Sequence, residues 1–354
     1  MTLFTLALAA QAQSPYISKV YEYQPAPGQF VNELPEWEEG DDAEAMRQKA
    51  EDCIANHQQT VITLGSWGGY VVFGFDHMVK NKRGKYDFKL LGNSFYALSN
   101  PKDTTAIGGS AEPGVVMVSY DANGNGVPDD AWYELAGSEH HNESTTHRYS
   151  CTYYRPAANH VPTPGPSAYL TDTTYIRWKA SDGRTGHVYK LSFHKQNYFP
   201  NWIATDSLTF SGTRLRDNAV ETNGEYILYC FNWGYADDQP NTATFDTDDD
   251  TVPIHLRHVS EFKIDWAVDA NGHAVTLPGI HFVKVYTGVQ QFNGWLGEAS
   301  TEVLDAWDLH LLDANGHAVT EEEDDEDIPY DIDGNGIFSV SDITTLIEVY
   351  LKGR

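Results

Sequence analysis

Short apolar runs separated by turn residues dominate the middle of the chain and predict a β-rich body. Runs rich in Val, Ile, Tyr and Phe, each with the length of a strand, occupy residues 70–79, 86–95, 114–121, 174–180, 187–194, 226–235, 261–268 and 282–289. Gly, Pro, Asn and Asp separate these runs at intervals typical of antiparallel sandwiches. We therefore expect a mainly β fold over residues 13–320, an antiparallel β-sandwich or jelly roll built as one extended sandwich or two abutting ones.

Two local patterns interrupt the strands. Behind an Asp, residues 41–57 carry apolar side chains at helical spacing: Met46, Ala50, Cys53 and Ile54. This spacing predicts one early helix, in which Cys53 is a small core residue. The phrase DANGHAV occurs at 269–275 and again at 313–319, and its Asn-Gly pair between apolar runs predicts a tight hairpin turn at each copy.

Composition limits the partners of the chain. Lys plus Arg number 23 and Asp plus Glu number 51, which gives a net charge of −28 and a pI near 4.6. Such a surface repels nucleic-acid phosphates and anionic lipid, so neither is expected as a partner. Because 41% of the residues are hydrophobic, the 354-residue chain can still bury a sizeable core, in one large all-β domain or in two domains plus a tail.

The N-terminus resembles the end of a secretory signal peptide. Residues 3–10 are apolar, and Ala10-Gln11-Ala12 supplies a small-x-small cleavage site, although Lys and Arg are missing from the start. The alternative is an ordinary buried N-terminal strand. We expect residues 1–12 to be a signal segment and the protein to be secreted or held at the cell surface. Elsewhere the apolar runs are shorter than a transmembrane helix, so the mature chain is not expected to span a membrane.

The loop at 121–134 carries oxygen ligands at the spacing of an EF-type calcium loop. Positions 1, 3, 5, 7 and 9 of such a loop are occupied by Asp121, Asn123, Asn125, Val127 (through its carbonyl) and Asp129. Gly126 at position 6 allows the sharp turn. Position 12 is Trp132, so Glu134 or Asp130 would have to supply the last carboxylate. Calcium here would offset the repulsion between clustered acids; the alternative is a long hydrated hairpin loop.

A second loop, at 331–342, matches the calcium pattern at every position. The expected ligands are Asp331, Asp333, Asn335, Ile337 (through its carbonyl), Ser339 and Asp342, with Gly336 at the turn. An amphipathic helix follows directly, with Ile343, Leu346 and Leu351 on one face. The acidic stretch 321–329 is expected to be a solvated linker, and 330–354 a small terminal module. The alternative for this loop is a plain capped turn.

Residues 331–353 resemble one repeat of a type I dockerin, through the D-x-D-x-N-G loop, the Asp at position 12 and the Leu/Ile-rich helix. Dockerins carry two such repeats, and this chain carries one. The resemblance implies calcium-dependent folding and docking to a cohesin-like or other envelope protein partner.

The body resembles a family of uncharacterised cell-surface proteins of gut Bacteroidota. The phrases that carry the likeness are LGSWGGYVVFGFDHMV, DFKLLGNSF, EPGVVMVSYDANGNGVPDDAWYELAGSE and LPGIHFVKVYTGV, in this order within residues 20–310. The resemblance implies a secreted β-sandwich similar to galactose-binding-like modules. It brings no catalytic residues, and on the resemblance alone the captured nutrient is a glycan or a cobalamin-like molecule.

Several single residues carry weaker signals. His77 and His194 are candidate ligands or ordinary core histidines, and Cys151 with Cys230 is a possible disulfide. Glu112 stands alone among apolar strand residues; a hydrogen-bonded buried carboxylate, a group behind a calcium ligand and a catalytic acid are all open. Five tryptophans beside Gly, Pro or Asp are candidates for an exposed sugar-stacking platform, with core packing as the alternative: Trp67, Trp132, Trp202, Trp233 and Trp295.

These observations favour a calcium-binding, non-catalytic protein of the bacterial envelope that captures a glycan or another small nutrient. The nucleophile, zinc-protease, Walker and Rossmann motifs are missing from the sequence. A glycan-active hydrolase remains an alternative, because its paired carboxylates are set by geometry and not by sequence spacing. A structural surface protein is the third possibility.

Overall fold

The structure is a computed structural model that describes residues 13–95, 108–241, 260–313, 316–319 and 343–344. These residues form a mainly β fold with antiparallel sheets and, within the described parts of 13–319, a single α-helix, which confirms the predicted fold class at this level. Among the described residues, no helix combines the length and the apolar character needed to cross a membrane.

The strands are short and numerous. In chain order they are β1 (Lys19–Gln24), β2 (Ile62–Thr63), β3 (Tyr70–Lys80), β4 (Phe88–Leu91), β5 (Gly108–Gly109), β6 (Gly114–Ser119), β7 (Trp132–Leu135), β8 (Thr146–Tyr154), β9 (Leu170–Ala180), β10 (Thr185–Leu191), β11 (Ser207–Arg214), β12 (Ala219–Thr222), β13 (Glu225–Tyr229), β14 (Glu261–Phe262), β15 (Ala267–Val268), β16 (Gly279–Thr287), β17 (Glu302–Val303) and β18 (Asp305–Asp308). Helix α1 spans Ala43–Ile54, and 3-10 turns span Ala55–His57, Ile264–Trp266, Gly294–Leu296 and Leu309–Leu311. The strand predicted at 261–268 is therefore two strands with a helical turn between them.

Two sheets are larger than the rest. The first has six strands in the order β1-β3-β16-β6-β7-β15, and the second has four in the order β10-β9-β8-β11. Smaller sheets join β12-β13-β5, β14-β4-β18 and β17-β2. The central strands β3, β16 and β6 are rich in apolar residues. A strand that has neighbours on both sides and covered faces has little contact with water, and apolar side chains suit that environment.

The six-stranded sheet is covered on both faces. In β6, Val116 and Val118 enter the main core, which also contains the apolar face of α1, whereas Val115 and Met117 pack with Tyr286 in a second cluster. The split follows from the pleat of a strand, which sends successive side chains to opposite sides. A third cluster lies against the four-stranded sheet. The space between the two larger sheets is therefore only partly filled by apolar side chains.

Helix α1 begins and ends as its sequence predicts and protects an edge strand. Asp42 caps it by accepting a hydrogen bond from the N–H of Ala45 (2.9 Å), and the buried face contains Met46, Ala50 and Ile54. At β1, Glu51 accepts the N–H of Val20 (2.9 Å), and Arg47 donates to the Val20 carbonyl (2.7 Å). The helix therefore satisfies backbone groups that an edge strand would otherwise expose.

Both copies of DANGHAV form tight turns. In the first copy, Gly272 N donates to Asp269 O (2.9 Å) and Asp269 N donates to His273 O (2.9 Å). In the second, the equivalent bonds from Gly316 N and Asp313 N are both 2.8 Å long. The side chain of the leading Asp also accepts a backbone N–H four residues on in each copy. The described residues of both copies therefore make the same backbone hydrogen bonds, as expected for the same short phrase.

Candidate functional site

A cleft of about 980 Å³ opens between the two larger sheets. The six-stranded sheet lines it with Met117, Trp132, Glu134, Val268 and Tyr286. The four-stranded sheet lines it with His147, Arg148, Ser150, Ser211, Gly212 and Thr213. The first DANGHAV turn forms one side, and His140 and His141 form another. This volume lies at the upper end of the range in which small-molecule sites fall.

The pleat of β7 places Glu134 in this cleft. Trp132 and Glu134 line the cleft, whereas Tyr133 and Leu135, which alternate with them, pack in the main core. Strand periodicity thus fixes the side of the sheet to which the carboxylate points. Glu134 is half-buried, and both of its oxygens have partners across the cleft.

A bulge in β8 brings two consecutive side chains to the cleft. The register pairs Gly212 with Tyr149 and Arg214 with Thr146, so Thr213 of β11 stands opposite both His147 and Arg148. Arg148 has a φ of 54°, in the left-handed region that non-glycine residues rarely adopt. Bulges of this kind redirect side chains and are frequent beside active sites. Here the bulge lets His147 and Arg148 line the same cavity.

His140 lies in a turn that packs so closely against Tyr235 that position 137 has no room for a side chain. Its N–H donates to the carbonyl of Gly137 (3.0 Å). A Cβ on Gly137 would lie 2.6 Å from the ring of Tyr235, so only glycine fits at that position. The hydroxyl of Tyr235 also accepts the N–H of Glu139 (3.0 Å). These contacts fix the turn and direct the buried imidazole of His140 towards β7.

The side chains of Glu134, His140, His147 and Thr213 form a connected polar cluster. Glu134 Oε1 lies 3.0 Å from His140 Nδ1, and Glu134 Oε2 accepts the hydroxyl of Thr213 at 2.6 Å. His147 Nε2 donates to the carbonyl of His140 (3.0 Å), and its Nδ1 lies 3.2 Å from Thr213 Oγ1. Glu134, His140 and His147 each offer one ligand atom, and these three atoms lie within 4.8 Å of one another. The group could therefore hold a metal ion or bind a polar ligand.

A second group of acids is buried away from this cleft. Glu112, Asp237 and Glu302 bring carboxylate oxygens within 4.8 Å of one another, and Glu112 accepts the N–H of Ser300 (2.9 Å). Burial is the main cause that raises the pKa of Glu302 to about 7 and the pKa of neighbouring Glu298 to about 8. The pKa of Glu112 and that of Asp237 are raised well above their usual range by burial and then by the charges around them. Glu112 is therefore a hydrogen-bonded, half-buried carboxylate, and its other two interpretations stay predictions.

Glu298 also faces a smaller cavity. This cavity has a volume of about 290 Å³ and is lined by the rings of Trp67, Trp178 and Phe292. Oε1 of Glu298 accepts the N–H of Gln29 (2.5 Å), and its buried Oε2 has no hydrogen-bond partner. A carboxyl group among aromatic rings is stable mainly in its neutral form, which is the reason for the high pKa.

The first predicted calcium loop is compact. Asp121 accepts the N–H groups of Gly124 (2.7 Å), Asn125 (3.1 Å) and Gly126 (2.8 Å), which lowers its pKa, the bond from Gly126 being the largest cause. Asn123 and Asn125 both donate to Asp129, so four of the predicted ligands lie together. The N–H of Val127 donates to Asn125 Oδ1 (2.8 Å). Of the two candidates for the last carboxylate, Asp130 accepts the N–H of Ala122 within the loop (3.1 Å), whereas Glu134 has its carboxylate in the cleft with His140 and Thr213.

Other predicted segments cannot be placed. The second predicted calcium loop, with Asp331, Asp333, Asn335, Ile337, Ser339 and Asp342, lies outside the described residues. The predicted signal segment 1–12 and linker 321–329 also lie outside them.

The weaker single-residue signals separate in the structure. His77 is buried between Asp76 and Asp308, each 2.7 Å from a ring nitrogen; burial lowers its pKa, but these hydrogen bonds outweigh burial and the pKa is raised. His194 lies 3.6 Å from Glu33. The three cysteines are free thiols, so Cys151 and Cys230 form no disulfide.

The five candidate tryptophans differ in exposure. Trp67 is fully buried, so the stacking interpretation is wrong for it, and Trp202 is partly buried against the main core. Trp132 lines the cleft, and Trp233 and Trp295 are 37% and 48% exposed. His147, Arg148 and Thr213 were not singled out by the sequence, and the short spacing of Glu134, His140 and His147 was the one signal that could have found the cluster. No protein-family model matches the chain, and a search of curated proteins finds no relative.

Proposed function

We propose that the protein is a secreted or cell-surface binding protein of the bacterial envelope, built on a β-sandwich body, that captures a glycan or another small polar nutrient in the cleft between its two larger sheets. The observation that carries this proposal is the cleft itself, about 980 Å³ in volume, with aromatic and polar walls. Sites of this size with a few convergent polar groups are where small ligands bind.

The chemistry of the walls suits a sugar. Trp132, which is partly exposed in the cleft, offers aromatic surface for the apolar face of a sugar ring. Arg148, Asp269 and Asn271 lie at the side of the cleft and can exchange hydrogen bonds with hydroxyl groups. Flat apolar surface beside planar polar groups is the combination that orients a carbohydrate.

Two further elements complete the proposal. Calcium binds the loop 121–129, where the side chains of Asp121, Asn123, Asn125 and Asp129 lie together, and also binds the loop 331–342. The C-terminal module at 330–354 then attaches the body to a cohesin-like or other envelope protein. Calcium suits these loops because it prefers several hard oxygen ligands on a flexible turn.

The test is saturable binding to a glycan array and a corrinoid panel, followed by calorimetry on the best ligand. Trp132→Ala is expected to weaken binding at least about tenfold, because the stacking surface is lost. Trp295→Ala is the matched control, since Trp295 is exposed outside the cleft and its loss should leave affinity unchanged. Equal affinity of the two variants would contradict the proposed cleft.

A second candidate function is glycan hydrolysis, and the position of Glu298 favours it. A carboxyl group with a pKa of about 8 that lines an aromatic cavity has the protonation state of a general acid at neutral pH. A hydrolysis screen distinguishes the candidates. Turnover that is abolished by Glu298→Gln would support the hydrolase, whereas saturable binding without turnover supports capture.

A further inference from the structure

We propose that Glu134, His140 and His147 bind a divalent transition-metal ion in the cleft, and that zinc is the ion they fit best. This site is separate from the calcium loops at 121–129 and 331–342. It lies in the cleft that we propose captures a ligand, but the ion binds whether or not that ligand is a sugar.

Three independent elements supply the ligands. Glu134 comes from the cleft side of β7, His140 from the turn fixed by Gly137, and His147 from the bulge of β8. Their ligand atoms already lie within 4.8 Å of one another. Two ligands of one tetrahedral zinc ion, each about 2.0–2.2 Å from it, are separated by about 3.5 Å. Side-chain movements of up to about 1.5 Å therefore close the site.

His147 is already oriented as a metal ligand. The carbonyl of His140 can only accept, so the proton of the His147 ring is on Nε2, which leaves a lone pair on Nδ1. The nearest polar neighbour of Nδ1 is the Thr213 hydroxyl at 3.2 Å, whose proton is directed to the carboxylate of Glu134 at 2.6 Å. A metal ion is the partner that this lone pair lacks. Metal-bound histidines commonly donate their other N–H to a backbone carbonyl in this way.

Glu134 shows the same arrangement. Its Oε2 is held by Thr213, so Oε1 is the oxygen available to the ion. The bond that now joins Oε1 to His140 Nδ1 is replaced when the ring proton of His140 moves to Nε2, which keeps the imidazole neutral. His140 Nε2 has room for that proton: even a Cβ added to Gly272 would remain 3.7 Å away. No net proton is gained or lost by the imidazole.

The donor set selects the class of ion. Two imidazole nitrogens and one carboxylate suit zinc and neighbouring transition metals, whereas calcium takes oxygen ligands. Three protein ligands leave a fourth position open towards the cleft, the arrangement of zinc sites that take a water molecule or a ligand atom. The ion would therefore bind an oxygen or nitrogen atom of the molecule in the cleft.

The test uses the untagged full chain, stripped with a chelator and titrated with zinc chloride in the presence of millimolar calcium. We expect one saturable zinc site and a rise in melting temperature. Glu134→Gln and His147→Ala should each weaken zinc binding at least about tenfold, and Thr213→Val about 10–100-fold. His317→Gln is the matched control, because His317 is an exposed histidine outside the cleft and outside the ligand set, and it should bind zinc like the wild type.

Cobalt(II) provides a second readout that protein stability does not affect. Cobalt bound to nitrogen and oxygen ligands absorbs visible light, and His147→Ala should lose this absorption while its far-UV circular dichroism stays unchanged. No saturable zinc binding to the wild-type chain, or equal binding to His147→Ala and His317→Gln, would overturn the proposal. Because no organic ligand is present, either result is independent of ligand capture.

Discussion

Arg148 donates a hydrogen bond from Nη2 to Asn271 Oδ1 over 2.8 Å, and so connects the bulge of β8 to the first DANGHAV turn. The same nitrogen also donates to the carbonyl of Ala270 (3.0 Å). Arg148 belongs to the four-stranded sheet, and Asn271 belongs to the turn that follows β15 of the six-stranded sheet. The hydrogen bond therefore joins the two sides of the cleft. These two hydrogen bonds hold the DANGHAV turn at the side of the cleft, and both are exposed to solvent.

Arg148→Ala should loosen the turn without unfolding the protein. Because the bonds of Arg148 are exposed, we expect the free energy of unfolding to change by less than about 0.5 kcal/mol. The N–H groups of Gly272 and His273, which bond Asp269, should exchange with solvent faster. Hydrogen exchange measures this change. Arg177→Ala, which removes an arginine stacked on Tyr154 in the same sheet, is the control and should leave the turn protected.

His77 should stabilise the fold in its charged form. Its pKa is raised above the usual 6.5, so its contribution is fully present below pH 6.5 and is lost as pH rises through the folded-state pKa. His77→Gln should therefore cost more stability at pH 6 than at pH 9, by about 1–3 kcal/mol at the lower pH. Urea denaturation at both pH values measures the difference.

His187 provides the opposite control. Burial lowers its pKa, so its protonation on acidification opposes folding. His187→Gln should therefore be more favourable to stability at pH 5 than at pH 9. If both histidine variants showed the same pH dependence, the roles given to Asp76 and Asp308 would be wrong.

Glu298 should oppose folding at high pH. Its pKa rises from 4.5 to about 8 on folding, so its contribution is fully present below about pH 4.5 and is lost as pH rises through 8. Glu298→Gln mimics the neutral acid and should be more stable than the wild type at pH 9, by a few kcal/mol to order of magnitude, with little difference at pH 4. Thermal unfolding from pH 4 to 9 measures this. Glu225→Gln, on an exposed position of β13, should show no such trend.

Calcium should raise the melting temperature through the loop at 121–129. In a chain that carries Asp331→Ala, so that the second loop does not contribute, calcium is expected to stabilise by mass action, about 2.7 kcal/mol at one hundred times its dissociation constant. Adding Asp121→Ala should remove this calcium-dependent increase. Asp182→Ala, which removes another turn aspartate that accepts a backbone N–H, should not. An increase that persists in the Asp121 variant would refute the site.

The sequence predicts elements whose signal is local. Helix α1 has its cap, its apolar face and its ion pairs within about a dozen residues, and the sequence pattern predicted this helix. Strands β8 and β11 were missed because their cleft-facing positions are polar and the bulge interrupts the alternation. Trp67 was a candidate for a loop tip because glycines follow it, with core packing as the alternative. Those glycines instead allow close packing: a Cβ on Gly68 would lie 2.5 Å from Phe210.

The site residues also show that sequence predicts only what depends on local signals. Glu134 was one of two candidates, with Asp130, for the last ligand of the calcium loop, but its carboxylate contacts His140 and Thr213 in the cleft. His147 lies on β8, the strand that directly follows β7, so its short spacing from Glu134 was a usable signal, whereas Thr213 lies 79 residues beyond Glu134. Spacing along the chain does not show which distant strands become neighbours across a cleft, so the part played by Thr213 could be found only in three dimensions.

The bulge of β8 also makes the lining of the cleft sensitive to a single deletion. It consists of one additional residue opposite Thr213, so a deletion of one codon, that of Arg148, would restore uniform pairing with β11. That event would remove the guanidinium from the cleft and reset the direction of the remaining side chains at once. One in-frame codon would therefore change which polar groups face the cleft while the apolar core stays the same.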